Sequence, residues 1–266
     1  RVTEECYLPN SAGRILDGNG RIRAVSNNYA RISGDFGPTL LAWMERVHPG
    51  VYDSIISADS QAQDRFSGHG SAIAHPYHHV ILPLLPREDK ETEIRWGIRD
   101  FEDRFGRYPE GMWLPEMAVD QETLTVLADH GIAYTVLSPN QGCQPPQEVD
   151  ERPVPGRGID TSAPYFCSLP GGGDIAIFFH DASIGLQVAF GDLLENGDRF
   201  ADRLLSASPL GGLVHFATDG ETFGHHHRFG EMALAWCLDR IDTSAPETLT
   251  VYGEYLAGYP PKREAE

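Results

Sequence analysis

Short apolar runs alternate with amphipathic helical segments in the central part of this chain, and this order constrains the fold more than any other feature. In chain order they are a strand at 71–74, a helix at 88–105, a strand at 111–114, a helix at 119–130 and a strand at 133–137. The helix at 88–105 is recognised by apolar residues at spacings of three and four. Alternation of this kind predicts parallel strands joined by right-handed crossovers. We therefore expect an α/β fold with mostly parallel strands.

Further elements flank this central part on both sides. We predict helices at 38–47, 51–66, 199–207 and 229–241, a hairpin of 166–169 with 174–179, and strands at 212–217 and 249–255. The stretch 138–164 is rich in Pro, Gly and polar residues, which indicates a long surface loop, a kind of segment that is often functional. With 266 residues and 41% apolar content, the chain can bury one substantial core, and a single-domain barrel or doubly wound sheet fits as well as two small domains. We expect a single barrel domain over 1–266.

Two acidic motifs follow predicted strands. The sequence Trp-Leu-Pro-Glu at 113–116 follows one strand, and Thr-Asp-Gly-Glu-Thr-Phe-Gly at 218–224 follows another. Barrel enzymes of the β/α kind carry their chemistry at the carboxyl ends of strands. Paired carboxylates there are typical of glycoside chemistry, in which one attacks the sugar carbon and the other handles the leaving oxygen's proton.

Each motif also has a plain structural interpretation. Glu116 would be a nucleophile with Trp113 as an apolar wall for a sugar face, but a solvated Glu at a helix N-terminus would give the same sequence. Asp219 and Glu221 would share one face of an extended segment, where one could serve as general acid, although Asp-Gly is also a common turn dipeptide. The flanking strand and the histidines that follow favour the functional interpretation of Asp219.

Histidines accompany both strand ends. His75 and His79 follow the strand at 71–74, His225 opens a run of three, and His180-Asp181 follows the predicted hairpin. Zinc would need three or four such ligands. His75 and His79 are four residues apart, but they lie in a predicted loop rather than on a helix, and a run of three histidines cannot point all its side chains inward. We interpret these side chains as partners for sugar hydroxyls, and we predict no metal and no cofactor.

Composition excludes other classes of partner. A net charge of -18 repels a phosphate backbone, so nucleic acid is excluded as a partner. No apolar run reaches the ~20 residues that cross a bilayer, which excludes a membrane partner, and the first residues lack a signal peptide's apolar region. We therefore expect a cytoplasmic protein. The four cysteines are scattered, which favours reduced thiols.

These motifs together resemble glycoside hydrolase family 57, whose members act on α-glucans and are built on an incomplete (β/α)7 barrel. The resemblance runs from about residue 71 to 229 and implies Glu116 as nucleophile and Asp219 as general acid/base. It further implies Glu221 and Trp113 as sugar-contacting residues and His79 as the polar residue of the second family motif. An α-glucan oligo- or polysaccharide is the implied substrate.

The chain departs from that family at several points. No His-Gln-Pro-like motif precedes Cys6, so the first barrel strand is expected to be missing and the chain to be a fragment of a longer protein. His180-Asp181 stands where many relatives have Arg-Asp.

Three functions fit the sequence. The leading hypothesis is a retaining α-glucan hydrolase or transferase, which predicts its two carboxyl groups at about 5–5.5 Å. A metal-dependent polysaccharide deacetylase of a related barrel type would instead hold an ion among His75, His79, Asp181 or His225. A non-catalytic carbohydrate-binding remnant is the third.

Overall fold

The computed structural model describes residues 1–143, 159–207, 212–246 and 248–266. Its helices are α1 (Leu8–Ser11), α2 (Pro38–Val47), α3 (Pro49–Arg65), α4 (Arg87–Phe105), α5 (Gln121–Asp129), α6 (Ala182–Phe190), α7 (Gly197–Ala207), α8 (Gly230–Ser244) and α9 (Tyr252–Gly258). Its strands are β1 (Gly13–Leu16), β2 (Ile22–Ser26), β3 (Gly34–Asp35), β4 (Ala72–Ile73), β5 (Tyr134–Leu137), β6 (Tyr165–Ser168), β7 (Asp174–Phe179) and β8 (Arg263–Glu264). A π-helical turn, Thr3–Tyr7, leads into α1.

The chain forms two compact units. The first unit comprises Arg1–Gly34, Met44–Ser71 and Ala182–Glu254, and the second comprises Asp35–Trp43, Ala72–Asp181 and Tyr255–Glu266.

The second unit contains the parallel strands that the sequence predicts. Ala74 bridges Met112 in parallel, Gly111 bridges Tyr134 in parallel, and β5 pairs in parallel with β7. The segment 111–113 is therefore an extended piece between β4 and β5, held by single bridges. Parallel segments in this order bring their carboxyl ends to the same edge.

Helices α4 and α5 make the crossovers between these parallel segments. Helix α4 ends at Gly106, whose φ of 68° is the left-handed conformation that favours glycine at a helix C-terminus. Helix α5 begins after Asp120, whose carboxylate accepts a 2.7 Å hydrogen bond from the backbone N–H of Thr123. The predicted helices at 88–105 and 119–130 are thus confirmed.

The predicted hairpin is also confirmed. Strand β6 pairs antiparallel with β7, and β8 adds in parallel to β6, which gives the sheet order β5-β7-β6-β8. Behind this sheet lies an apolar core with members such as Ile98, Leu127 and Ile177. Most of the predicted loop 138–164 lies outside the described residues.

The first unit is largely helical around its own core. Helices α6, α7 and α8 bury apolar residues that include Ile184, Phe200 and Leu238, and β1 pairs antiparallel with β2. The predicted helices at 51–66, 199–207 and 229–241 correspond to α3, α7 and α8, and the one at 38–47 corresponds to α2, most of which belongs to the second unit.

Two predicted strands are wrong. The residues 212–217 form no strand ladder within the described part of the chain, although they carry the expected apolar side chains. They lie instead against α6, where a Cβ on Gly185 would come within 2.7 Å of the Ala217 carbonyl oxygen. The run 249–255 enters helix α9 at Tyr252 rather than a strand, while Val251 is buried just before it. Packing of these short runs overrides their β propensity.

An α/β architecture is thus present with small sheets, and no closed barrel is traced by the described strands. None of the helices in the described ranges is long and apolar enough to cross a membrane. All four cysteines are free and buried, as the sequence predicts.

Candidate active site

Glu116 lies just beyond the carboxyl end of the extended segment 111–113. That segment is fixed on both sides, since the Trp113 N–H donates to the Ala74 carbonyl at 2.8 Å and the Met112 N–H donates to the Tyr134 carbonyl at 3.1 Å. A 3-10 turn, Pro115–Met117, follows immediately. The chain there presents the Glu116 side chain to solvent, with 71% of it exposed.

The backbone of this turn is unusual for the residues that form it. Glu116 has φ 56° and the next residue, Met117, has φ 52°. Left-handed backbone costs a non-glycine residue roughly 1–2 kcal/mol, and such outliers cluster at functional sites. The Glu116 side chain is exposed, but its backbone is not that of an ordinary first turn of a helix.

His79 contacts this carboxylate. Its Nε2 lies 3.1 Å from Oε1 of Glu116, and its ring stacks on His75 with the centroids 5.5 Å apart. The neighbouring His78 faces elsewhere, because its Nδ1 lies 2.9 Å from Oε1 of Glu93. The sequence-predicted pair His75 and His79 thus meets beside Glu116, and Trp113 is half-buried in the segment before it.

His75 is the buried member of this pair, at 5% exposure. Burial lowers the pKa of His75, against the opposing effect of the Pro76 carbonyl at 2.6 Å from Nδ1. The imidazole is therefore neutral at neutral pH. Helix α4 approaches this loop closely, since a Cβ on Gly97 would come within 2.2 Å of the His75 carbonyl oxygen.

His180 and Asp181 follow β7 at the same sheet edge. The His180 N–H donates to the Leu137 carbonyl at 3.1 Å, which continues the pairing of β5 with β7. Its side chain is buried, and neither ring nitrogen makes a well-formed hydrogen bond among the described residues. Burial lowers the pKa of His180, while Asp181 opposes that shift. The residue that follows β7 therefore carries a neutral imidazole whose two nitrogens are available for further hydrogen bonds.

Asp219 belongs to the first unit, where it opens a loop that we call the acidic loop (219–225). Its carbonyl accepts a 3.1 Å hydrogen bond from the Thr222 N–H, so Gly220–Thr222 forms a 3-10 turn. The Thr218 and Thr222 hydroxyls lie 3.0 Å apart across the turn, and Asp219 is exposed. The expectation that Asp219 and Glu221 share a face of an extended segment is wrong, because the chain turns between them.

Residues near the N-terminus hold this loop, and no motif in the sequence indicates them. The Tyr7 hydroxyl donates to Oε1 of Glu221 at 2.6 Å, and Nδ1 of His225 lies 2.5 Å from Oε2 of Glu5. The His225 hydrogen bond lowers the pKa of Glu5. These partners are separated by 214 and 220 residues, so no local pattern could reveal them.

Within the described ranges, no group of three or more His, Cys, Asp or Glu side chains could hold a metal ion. The ligand set expected of a deacetylase is not assembled there. Within the second unit, the structure brings Glu116, His79 and His75 together. Within the first, it brings Glu221, His225 and the exposed Asp219 into one loop.

Comparison with known proteins places these residues in a family. The family model described as Glycosyl hydrolase family 57 matches residues 16–264. A 4-alpha-glucanotransferase from Thermococcus litoralis is 24% identical over 240 residues, which cover 87% of this chain and 33% of that protein. An alpha-amylase from Pyrococcus horikoshii is 25% identical over 234 residues, which cover 84% of this chain and 33% of that protein.

A solved structure shares the fold. The crystal structure of the 4-alpha-glucanotransferase from Thermococcus litoralis matches with a TM-score of 0.73 and 19% identity, covering 100% of this chain and 38% of that one. The chain spans about a third of the length of the two curated relatives. The match of the family model over nearly the whole chain shows that this protein belongs to glycosyl hydrolase family 57.

Proposed function

We propose that this chain carries the catalytic part of a retaining α-glucan hydrolase or transferase, built on an incomplete (β/α)7 barrel. Glu116 is the nucleophile and Asp219 the general acid/base. Membership of family 57 supports the enzyme class, and the names of the relatives support an α-glucan substrate.

The observation that carries the proposal is the setting of Glu116. A carboxylate on a turn with left-handed backbone, at the end of a parallel strand segment and 3.1 Å from an imidazole, is exposed to an incoming ligand. Barrel enzymes place their reacting groups at such strand ends. A carboxylate held in one orientation can attack the anomeric carbon without reorganising first.

The proposed reaction has two steps. In the first, an oxygen of Glu116 forms a bond to the anomeric carbon while Asp219 gives its proton to the departing glycosidic oxygen. In the second, Asp219 takes a proton from water or from an acceptor sugar hydroxyl, and that oxygen displaces Glu116. Both steps invert the anomeric carbon, so the product retains the original configuration. Trp113, His75, His79, His180, Asp181, Glu221 and His225 are the proposed sugar-contacting residues.

The test compares four proteins on maltooligosaccharides: wild type, Glu116→Gln, Asp219→Asn and the surface control Glu88→Gln. We expect a loss of kcat of at least about a thousandfold in the first two variants and wild-type rates in the control. Proton NMR of the first product should show the retained anomer, and product sizes separate hydrolysis from transfer. Equal turnover by wild type and Glu116→Gln would show that the nucleophile is misassigned, and an inverted product would rule out retention.

A further inference from the structure

The first unit contains an N-terminal segment, Thr3–Ser11, that binds the acidic loop through four of its side chains. Glu5 Oε2 lies 2.5 Å from His225 Nδ1, Cys6 Sγ donates to the Gly220 carbonyl at 3.2 Å, Tyr7 Oη donates to Glu221 Oε1 at 2.6 Å, and Asn10 Nδ2 donates to the Phe223 carbonyl at 2.7 Å. Each contact reaches a different residue of the loop. Such a distribution fixes the path of the loop rather than one point on it.

The backbones of the two segments also meet closely. A Cβ on Gly224 would come within 2.0 Å of the Glu5 carbonyl oxygen, and Gly224 has φ 133°. Only glycine has both the missing side chain and the backbone freedom that this approach requires. The contact is therefore built into the loop sequence itself.

Buried donors on the N-terminal segment are themselves held in place. Asn28 donates from Nδ2 to Asn10 Oδ1 at 2.9 Å and to the Glu231 carbonyl at 3.0 Å, which fixes the Asn10 amide against α8. Burial, followed by the charge of Glu221, raises the pKa of the Cys6 thiol to about 12. The thiol therefore keeps its proton and remains a donor to the acidic loop at any working pH.

Two members of this set bond side chains proposed to touch sugar, since Glu5 bonds His225 and Tyr7 bonds Glu221, and Tyr7 is the buried one of the two. The ring is buried at 8% exposure, so the hydroxyl has few alternative positions. A carboxylate has two oxygens that accept hydrogen bonds, and Tyr7 takes Oε1 of Glu221. The remaining oxygen, Oε2, can then be presented to a sugar hydroxyl in a fixed orientation. Hydrogen bonds to a charged acceptor are about twice as strong as neutral ones.

We propose that Tyr7 is a positioning residue for the glucan site, which holds Glu221 in the orientation that binds a sugar hydroxyl. This inference rests on the proposed function. Tyr7 itself does not touch the reacting atoms. Loss of its hydroxyl releases Glu221 while leaving the proposed nucleophile and general acid/base in the chain.

The test is kinetic and uses Tyr7→Phe, Glu221→Gln and the double variant on maltoheptaose. We expect Tyr7→Phe to raise KM about tenfold with kcat within twofold of wild type, which is the size expected for one charge-assisted hydrogen bond. In the Glu221→Gln background the same substitution should have no further effect on KM. Tyr108→Phe is the matched control, because it removes a hydroxyl that bonds a backbone carbonyl, that of His130, in the second unit. Circular dichroism and Tm report whether each variant folds.

Binding to an inactive chain separates this inference from the proposed function. The dissociation constant of maltoheptaose is measured by calorimetry for Glu116→Gln with and without Tyr7→Phe, and a tenfold weakening is expected. If wild type turns over glucan and KM is unchanged in Tyr7→Phe, the positioning role is wrong and the function stands. If wild type turns over no glucan, the function is wrong, and Tyr7 is judged by binding alone. In that case, a dissociation constant that Tyr7→Phe leaves unchanged, or no binding at all, overturns the positioning role. In the kinetic test, the role is overturned if Tyr7→Phe raises KM as much in the Glu221→Gln background as in wild type.

Discussion

Nε2 of His79 lies 3.1 Å from Oε1 of Glu116. The backbone of Glu116 has a φ of 56°, which is rare outside glycine. The imidazole contacts the Glu116 carboxylate, and the turn sets the direction in which the Glu116 side chain leaves the backbone. Both side chains are largely exposed, at 61% and 71%, so the pair contributes little to folding stability. Its effect is expected on the orientation of Glu116.

Replacing His79 by Ala should therefore reduce activity without unfolding the protein. We expect kcat on maltooligosaccharides to fall about 10- to 100-fold, because the carboxylate loses its only imidazole contact among the described residues. Tm should change by less than about 2 °C. The matched control is His78→Ala, since His78 bonds Glu93 instead. A control variant that loses as much activity as His79→Ala would contradict the assignment.

Gly224→Ala should destabilise the protein. The new Cβ would lie 2.0 Å from the Glu5 carbonyl oxygen on a backbone with φ 133°, so either the acidic loop or the N-terminal segment must move. We expect the free energy of unfolding to fall by about 2–4 kcal/mol. Gly220→Ala is the control in the same loop, because a Cβ there meets nothing within 4 Å. Urea denaturation measures both, and equal midpoints would refute the close approach.

Lys90→Met should destabilise the second unit. The lysine is 1% exposed, and its Nζ lies 2.9 Å from Oδ2 of Asp120 and 2.8 Å from Oε2 of Glu122. Met keeps the apolar stem but leaves two carboxylates without their cation, so a loss of about 1–3 kcal/mol is expected. The only other lysine, Lys262, is exposed, and Lys262→Met should change stability by less than about 0.5 kcal/mol. Denaturant unfolding followed by circular dichroism compares the two variants, and a difference below 0.5 kcal/mol would show that these ion pairs add nothing.

Glu231 should make stability depend on pH. Burial raises the pKa of this carboxyl above its ordinary value of 4.5, with the charge of Arg14 opposing the shift. The folded state then holds a proton that the unfolded state releases, so the free energy of unfolding falls as pH rises above about 4.5. Glu231→Gln removes this penalty and should raise Tm at pH 7 by about 2 °C or more, while the gain should vanish below pH 4.5.

Scanning calorimetry between pH 4 and 8 checks this, with the exposed Glu195→Gln as control in the same unit. A gain that is the same at every pH would mean that the effect comes from packing rather than from ionisation.

The sequence predicts much of the second unit correctly. Helix α4 and the strand ends at His75, Glu116 and His180 follow from apolar periodicity and from the breaks in it, which are local properties. Helix α6 is not predicted from the sequence, because its apolar side chains lie on all sides of the helix and give no amphipathic pattern. Ile184 is fully buried while Phe190 is 84% exposed, so no face stands out in the sequence.

The acidic loop shows the limit of local patterns more sharply. Asp219 and Glu221 are found from the motif, but Tyr7 is found only from the fold. Its partner lies 214 residues away, and a Tyr in a polar N-terminal stretch carries no signal of its own. The need for glycine at position 224 also has no signal in the local sequence, because it arises from the close approach of the Glu5 carbonyl oxygen.

The distance along the chain between the N-terminal segment and the acidic loop has a consequence for the order of folding. Contacts over more than 200 residues form late, because closing so long a loop costs entropy before any contact stabilises it. During synthesis the segment around Tyr7 is made more than 200 residues before its partners in the acidic loop. The acidic loop thus gains its contacts to the N-terminal segment only after the long stretch of chain between them has been made.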